Sequence, residues 1–135
     1  MNELEEIEAL NELIKKGFIV AIKTKYGLQE VELIEKKNGL VITKLKRGIE
    51  IVEAPKTFMR RIVLITPRKT NASQVPPVEE IYNYLSKKKE VYYRGRKITK
   101  MTVSGKVLIL ELEEGYQIYA TPSDMLEYPI IVKGE

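Results

Sequence analysis

Residues 87–100 hold the side chains best suited to bind a polyanion. This run contains seven lysines and arginines, one glutamate and two tyrosines. Lysine and arginine neutralise phosphates and release counterions, and a tyrosine ring stacks on an unpaired base. On a strand Tyr92 and Arg94 share one face while Tyr93 points to the other, so we expect one tyrosine beside the cations. The residues predicted here to bind nucleic acid are Tyr92, Arg94, Arg96, Lys97 and Lys100.

A structural alternative explains the same run. Lysines at the end of a helix oppose its negative terminus and stay in solvent, while tyrosines fill a core. The residue types alone favour neither interpretation over the other.

A second basic set occupies the first half of the chain. Residues 15–69 contain fourteen lysines and arginines against five glutamates, an excess that the net charge of +4 hides. Lys44 and Lys46 alternate with apolar residues and therefore point the same way from a strand. The residues predicted to extend the nucleic-acid site are Lys44, Lys46, Arg47, Arg60 and Arg61. Ordinary solvated charge is the alternative for this set.

The residue types argue against catalysis. The chain has no histidine and no cysteine, and Asp124 is its single aspartate, so nucleophile triads and mixed-ligand metal sites cannot be built. Glutamates two residues apart on a strand, such as Glu30 and Glu32, lie on one face, and we predict that this face is solvated. The glycines are scattered singly instead of forming a phosphate loop. We therefore predict a non-enzymatic protein with no cofactor, no metal and no small-molecule substrate.

Composition indicates a globular protein of 135 residues, with 44% hydrophobic and 31% charged residues. Abundant lysine, glutamate and isoleucine with no cysteine resemble thermophile usage. No apolar run is long enough to span a membrane, and the N-terminus reads as an acidic helix instead of a signal peptide. We expect a cytoplasmic protein with no membrane partner.

Periodicity predicts the same series of elements twice. A helix capped by Asn2 precedes five short strands, and after a polar linker a second helix, started by Pro77, precedes five more. The predicted units are residues 1–67, a linker at 68–77, and residues 78–135. The predicted strands are 18–25, 29–35, 40–45, 49–53, 61–65, 91–94, 98–103, 107–112, 116–120 and 129–132.

The two units also share an internal repeat. Residues 45–65 recur without a gap as 112–132, with glycine and proline positions kept, which is typical of a duplicated fold. Upstream, the match between Gly39 and Gly105 implies a slip of one residue. The charges are inverted: Lys46-Arg47 becomes Glu113-Glu114, and Arg60 becomes Glu127.

Five short strands bury a core best by bending into a small barrel. We therefore predict a mainly β (α+β) protein of two tandem five-stranded SH3-like barrels, each preceded by an α-helix. The motifs Leu10-Asn11-Glu12-Leu13 and Asn38-Gly39-Leu40-Val41-Ile42 resemble the Sm-like fold family, which includes Hfq. The family's Arg-Gly pair between the last two strands and the Lys-His pair of Hfq have no counterpart, so the resemblance implies the barrel and not the nucleotide pocket. Tudor-like barrels are the alternative.

Two functions follow from these patterns. The first is a protein that binds RNA or DNA mainly through phosphate contacts, with low sequence specificity. The second is a protein–protein assembly subunit, whose repeats associate through complementary charged faces within a chain or in a homo-oligomer. A head-to-tail contact of that kind would close a ring or form a filament.

Overall fold

The chain folds mainly into short strands joined by tight turns. The computed structural model describes residues 2–68 and 78–134. Within them the elements are α1 (Glu3–Lys15), β1 (Phe18–Thr24), β2 (Gly27–Lys37), β3 (Leu40–Leu45), β4 (Glu50–Glu53), α2 (Pro55–Met59), β5 (Val63–Pro67), α3 (Val78–Leu85), β6 (Val91–Tyr93), β7 (Arg96–Ser104), β8 (Val107–Leu112), a 3-10 turn (Glu113–Gly115), β9 (Gln117–Ala120), α4 (Pro122–Glu127) and β10 (Ile130–Val132). The predicted α+β class, mostly strand with a few short helices, is confirmed.

The ten strands form one antiparallel sheet, in the order β4-β3-β2-β1-β5-β10-β6-β7-β8-β9. The sheet is open, and the predicted pair of closed barrels is not shown. The reason lies at β5, which pairs with β1 on one side and with β10 on the other. Because both edges of β5 are already paired, β5 cannot also pair with β4 and close a barrel. Both edges of β10 are paired in the same way, so β10 cannot close on β9.

The second half repeats the first with a constant offset of 67 residues from β2 onward. Leu40 begins β3 and Val107 begins β8, and both β2 and β7 carry a bulge at the matching place. The predicted one-residue slip is therefore wrong. Asn38 and Gly39 both have positive φ, whereas in the matching turn Gly105 alone does. Both turns have two residues, but Gly39 is the second residue of its turn and Gly105 is the first of its own. This difference explains the false match.

The two halves meet at their fifth strands in a nearly symmetric way. Leu64 pairs with Ile131, which is its own counterpart in the repeat, and the flanking pairs are reciprocal. An approximate two-fold axis therefore passes between these two residues, as in an isologous dimer interface. The predicted units 1–67 and 78–135 thus share one sheet. Residues 69–77 of the predicted linker, including the helix-starting Pro77, lie outside the described residues.

Helix α1 begins where predicted, because the Asn2 side chain accepts a hydrogen bond of 2.9 Å from the backbone N–H of Glu5. Further along, the Asn11 side chain donates to the carbonyl of Ile34 (2.8 Å) and accepts from its N–H (3.0 Å). These two bonds fix α1 onto β2. The apolar face of α1, through Leu10, enters a buried cluster that continues across β5 and β10 to α3.

A buried polar bridge also joins α1 to α3. The Tyr84 hydroxyl donates to Glu6 Oε1 at 2.7 Å, and the Lys88 ammonium contacts Glu6 Oε2. Burial, followed by the charge and hydrogen bond of Glu6, raises the pKa of Tyr84 well above its ordinary value. Lys88 belongs to the basic run of the sequence, but here it neutralises a carboxylate of the other half.

Candidate nucleic-acid interface

Arg61 holds the ends of two strands together through its guanidinium group. Its Nε and Nη2 each donate to the Glu53 carboxylate at 2.8 Å, and Nη1 donates to the Lys23 carbonyl at 2.9 Å. This bidentate pair is partly buried and ties the end of β4 to the end of β1. Arg61 is consequently not a free phosphate ligand.

Lys44 and Lys46 also have acidic partners on their own surface. Lys44 lies 3.4 Å from Glu35, and Lys46 lies 2.8 Å from Glu30. Burial alone would raise the pKa of Glu30, but Lys46 and then Arg68 lower it below its ordinary value. These pairs are partly exposed and weak, so either lysine can exchange its partner for a phosphate at small cost.

The arginines of the second basic run cover tyrosine rings. Arg94 lies 4.2 Å from the centre of the Tyr128 ring, and Arg96 lies 4.2 Å from that of Tyr116. Arg96 also donates to Glu114 at 2.9 Å, a bond that is the main cause of its raised pKa. Both arginines are thus engaged in cation–π contacts within the chain, which neither interpretation of the sequence predicted.

Tyr92 and Lys97 are brought together as cross-strand neighbours. Lys133, which the sequence analysis did not single out, places its ammonium 4.5 Å from the centre of the Tyr92 ring. Tyr93 is buried and Tyr92 is not, so the predicted alternation of the two tyrosines is confirmed. Arg94 was predicted on the same face as Tyr92, but it lies beyond the end of β6 with positive φ. Tyr92, Lys97 and Lys133 form a small basic aromatic patch on the second half.

The remaining predicted cations lie apart from this patch and from each other. Arg60 is exposed at the end of α2, beside a shallow depression that it shares with Lys56 and the start of α1. Lys100 is exposed on β7, at a cleft next to the end of α3. The ten predicted residues therefore do not form one continuous site.

The most suitable site is a groove in the first half, where the sheet stays open. It measures about 990 Å³ and lies between the β1–β2 turn and the β3–β4 loop. Tyr26 stands at its rim with 79% of its surface exposed, and the Lys25 ammonium lies 5.1 Å from the ring centre. The lining of the groove includes three cations, one carboxylate, two uncharged polar side chains and two isoleucines: Lys25, Arg47, Arg61, Glu50, Tyr26, Gln29, Ile49 and Ile51.

Arg47 is the predicted residue that this groove contains with its charge free. It is exposed, and no ion pair links it to any carboxylate in the part of the chain that the structure describes. Lys25 belonged to the same basic set, whereas Tyr26 was missed. The sequence signal available for Tyr26 was its place directly before a turn glycine, outside the alternating apolar positions of the strands.

The second half has no equivalent groove, because its own side chains fill the place. Glu114 stands where Arg47 stands in the first half, and Tyr116 stands where Ile49 does. Arg96 lies over Tyr116 and bonds Glu114. The cleft left there measures about 390 Å³ and is acidic. At this position of the repeat, the basic groove of the first half is thus replaced by a smaller acidic cleft in the second.

The side chains of the groove are suited to stacking and to phosphate neutralisation. Within residues 2–68 and 78–134 there is no group of three acidic, histidine or cysteine side chains able to hold a metal ion. None of the helices in those ranges combines the length and the apolar character needed to cross a bilayer.

Comparison with known proteins gives one relative of comparable length. The chain is 47% identical over 130 residues to "Uncharacterized protein 3" of Sulfolobus islandicus filamentous virus (isolate Iceland/Hveragerdi), and the match covers 96% of this chain and 94% of that protein. No protein-family model and no solved structure matches the chain. The extent and level of this identity show that the chain belongs to the same family as the viral protein.

Proposed function

We propose that this protein binds nucleic acid without chemical conversion, through the open groove of its first half. The observation that carries the proposal is the position of Tyr26, an exposed ring at the groove rim with Lys25 over it and Arg47 across the groove. An exposed aromatic ring and two cations in one groove are suited to bind a base and its flanking phosphates.

The groove favours a single strand with low sequence specificity. Arg47 and Lys25 supply phosphate contacts, and Tyr26 supplies a stacking surface that accepts any base. Ile49 and Ile51 give an apolar wall. The matching cleft of the second half is smaller and acidic, and is therefore unsuited to a polyanion.

Fluorescence anisotropy with labelled single-stranded RNA and DNA oligonucleotides tests the proposal. We expect Tyr26→Ala to weaken binding by about 5- to 100-fold, because stacking contributes about 1–3 kcal/mol per base. Tyr26→Phe keeps the ring and is the matched control, and it should bind as the wild type does. Equal binding by Tyr26→Ala and wild type would contradict the groove as the site. Absence of any binding at low salt would contradict the function itself.

A further inference from the structure

The two ends of the sheet are strands with one partner each among the described residues. β4 pairs with β3, β9 pairs with β8, and neither has a second strand beside it. Neither strand contains a lysine or a proline, the residues that commonly protect an edge from pairing. Each edge therefore presents a row of backbone donors and acceptors to another chain.

Both edges also expose apolar side chains at matching positions of the repeat. Val52 on β4 corresponds to Tyr119 on β9, and Ile49 and Tyr116 correspond directly before the two strands. All four are more than half exposed. Exposed apolar residues along an unpaired strand are the usual mark of an interaction surface.

The residues that flank the two edge strands carry opposite charges. Two cations, Lys46 and Arg47, precede β4, and Arg60 follows it. Around β9 the corresponding places of the repeat hold carboxylates, at Glu113, Glu114 and Glu127. β4 and β9 lie at opposite ends of the strand order, and no ion pair joins the two sets within the described ranges, so the two sets do not contact each other inside one chain.

We propose that β4 of one copy pairs antiparallel with β9 of the next copy, so that the protein assembles head to tail into one continuous sheet. In this orientation the end of β4 that leads to Arg60 meets the start of β9, where Glu113 lies. The opposite end places Arg47 beside the segment that carries Glu127. A symmetric contact between two β4 strands or two β9 strands would instead bring like charges together, which disfavours it.

The contact is heterologous, so each added copy exposes a new free edge and growth continues until a ring closes or a filament forms. Val52 and Tyr119 are the best positions for testing it. Both are exposed, both lie on the edge strands, and neither lines the groove proposed for nucleic acid. Failure of assembly and failure of nucleic-acid binding are thus separate results.

Sedimentation velocity at low salt, over a range of protein concentrations, measures the assembly. We expect the wild-type mass to rise with concentration above the 15.6 kDa of one chain. Val52→Lys and Tyr119→Lys should each stay at one chain, because each loses one of the two edges. Leu40→Lys changes an exposed leucine at the β2–β3 turn and serves as the control that still assembles. Circular dichroism checks that every variant is folded.

Mixing the two blocked variants gives the decisive result. The Val52→Lys chain keeps its β9 edge and the Tyr119→Lys chain keeps its β4 edge, so together they should form a dimer of two chains and nothing larger. A wild type that stays monomeric at all concentrations overturns the proposal. So does a mixture that stays monomeric, and so does either variant that dimerises alone, since that result indicates a symmetric contact.

Discussion

Leu64 lies opposite Ile131 in the centre of the sheet, and each residue is the other's counterpart in the repeat. This pair marks the place where two copies of one structural unit became parts of one sheet. β5 and β10 each have a partner on both sides, so neither half can be removed without exposing the edge of the other. The buried cluster also continues across this junction.

We therefore expect the two halves to unfold together. The shared sheet and the Glu6 bridge to α3 leave no boundary at which one half could melt alone. Scanning calorimetry should give one transition, with calorimetric and van't Hoff enthalpies equal. Ile65→Ala should lower the free energy of unfolding by about 2–5 kcal/mol, because Ile65 is fully buried. The variant should still unfold in a single transition. Two separated transitions would contradict the continuous core.

The Glu6 bridge should contribute strongly to stability. Glu6→Gln leaves Lys88 buried without a counter-charge, and breaking a buried pair in this way costs about 3–5 kcal/mol. Denaturant unfolding measures the loss. The double variant Glu6→Gln, Lys88→Met removes both charges and should recover part of the stability. An equal loss in the single and double variants would show that the two charges do not depend on each other.

Alkaline pH should destabilise the protein through Tyr84. Burial raises the pKa of Tyr84 in the folded state, whereas the unfolded chain ionises its tyrosines near pH 10. Above about pH 10 the folded state therefore holds more protons than the unfolded state, and stability falls as pH rises toward the folded pKa. Tyr84→Phe removes the ionisable group and should show a shallower alkaline fall in unfolding free energy. Parallel curves for the two proteins would contradict this assignment.

The N-terminus of α4 depends on Asp124 and should weaken in acid. Asp124 accepts hydrogen bonds from the backbone and hydroxyl of Thr121, in that order of effect, and they lower its pKa. This contribution is present above the ordinary aspartate pKa and is lost as pH falls through the lower folded value. Asp124→Ala should lower the free energy of unfolding by about 1 kcal/mol at neutral pH. In strong acid the variant and the wild type should be equally stable. Glu127→Ala, on the same helix, is the control expected to change little.

The turns and the strand faces could be predicted from the sequence, because their signals are local. Asn38-Gly39 is a hairpin turn of two positive-φ residues, and the alternation that separates Tyr92 from Tyr93 is seen in the burial of the strand. The pairing of β5 with β10 could not be predicted in this way. No local pattern says which strand edge meets which, and that pairing is what keeps the barrels open.

The candidate site was predicted less well for a related reason. The sequence shows which residues are charged, but it does not show which opposite charges they pair with. Arg61 and Lys88 look like surface cations, yet Arg61 is paired with Glu53 on the preceding strand and Lys88 with Glu6 of the other half. Arg47 differs from them only because no acid reaches it among the described residues. Tyr26 was not predicted because an aromatic side chain is usually buried. Only the position of the β1–β2 turn at the rim of the groove shows that this ring is exposed.

Salt dependence should identify Arg47 as a phosphate ligand. For single strands each neutralised phosphate contributes about 0.7 to the slope of log K against log salt concentration. Arg47→Ala should therefore make the slope shallower by about that amount and weaken binding to all sequences alike. Lys106→Ala, an exposed cation at the β7–β8 turn far from the groove, is the matched control and should leave the slope unchanged. If both variants shift the slope equally, binding is spread over the whole basic surface and the groove has no special part in it.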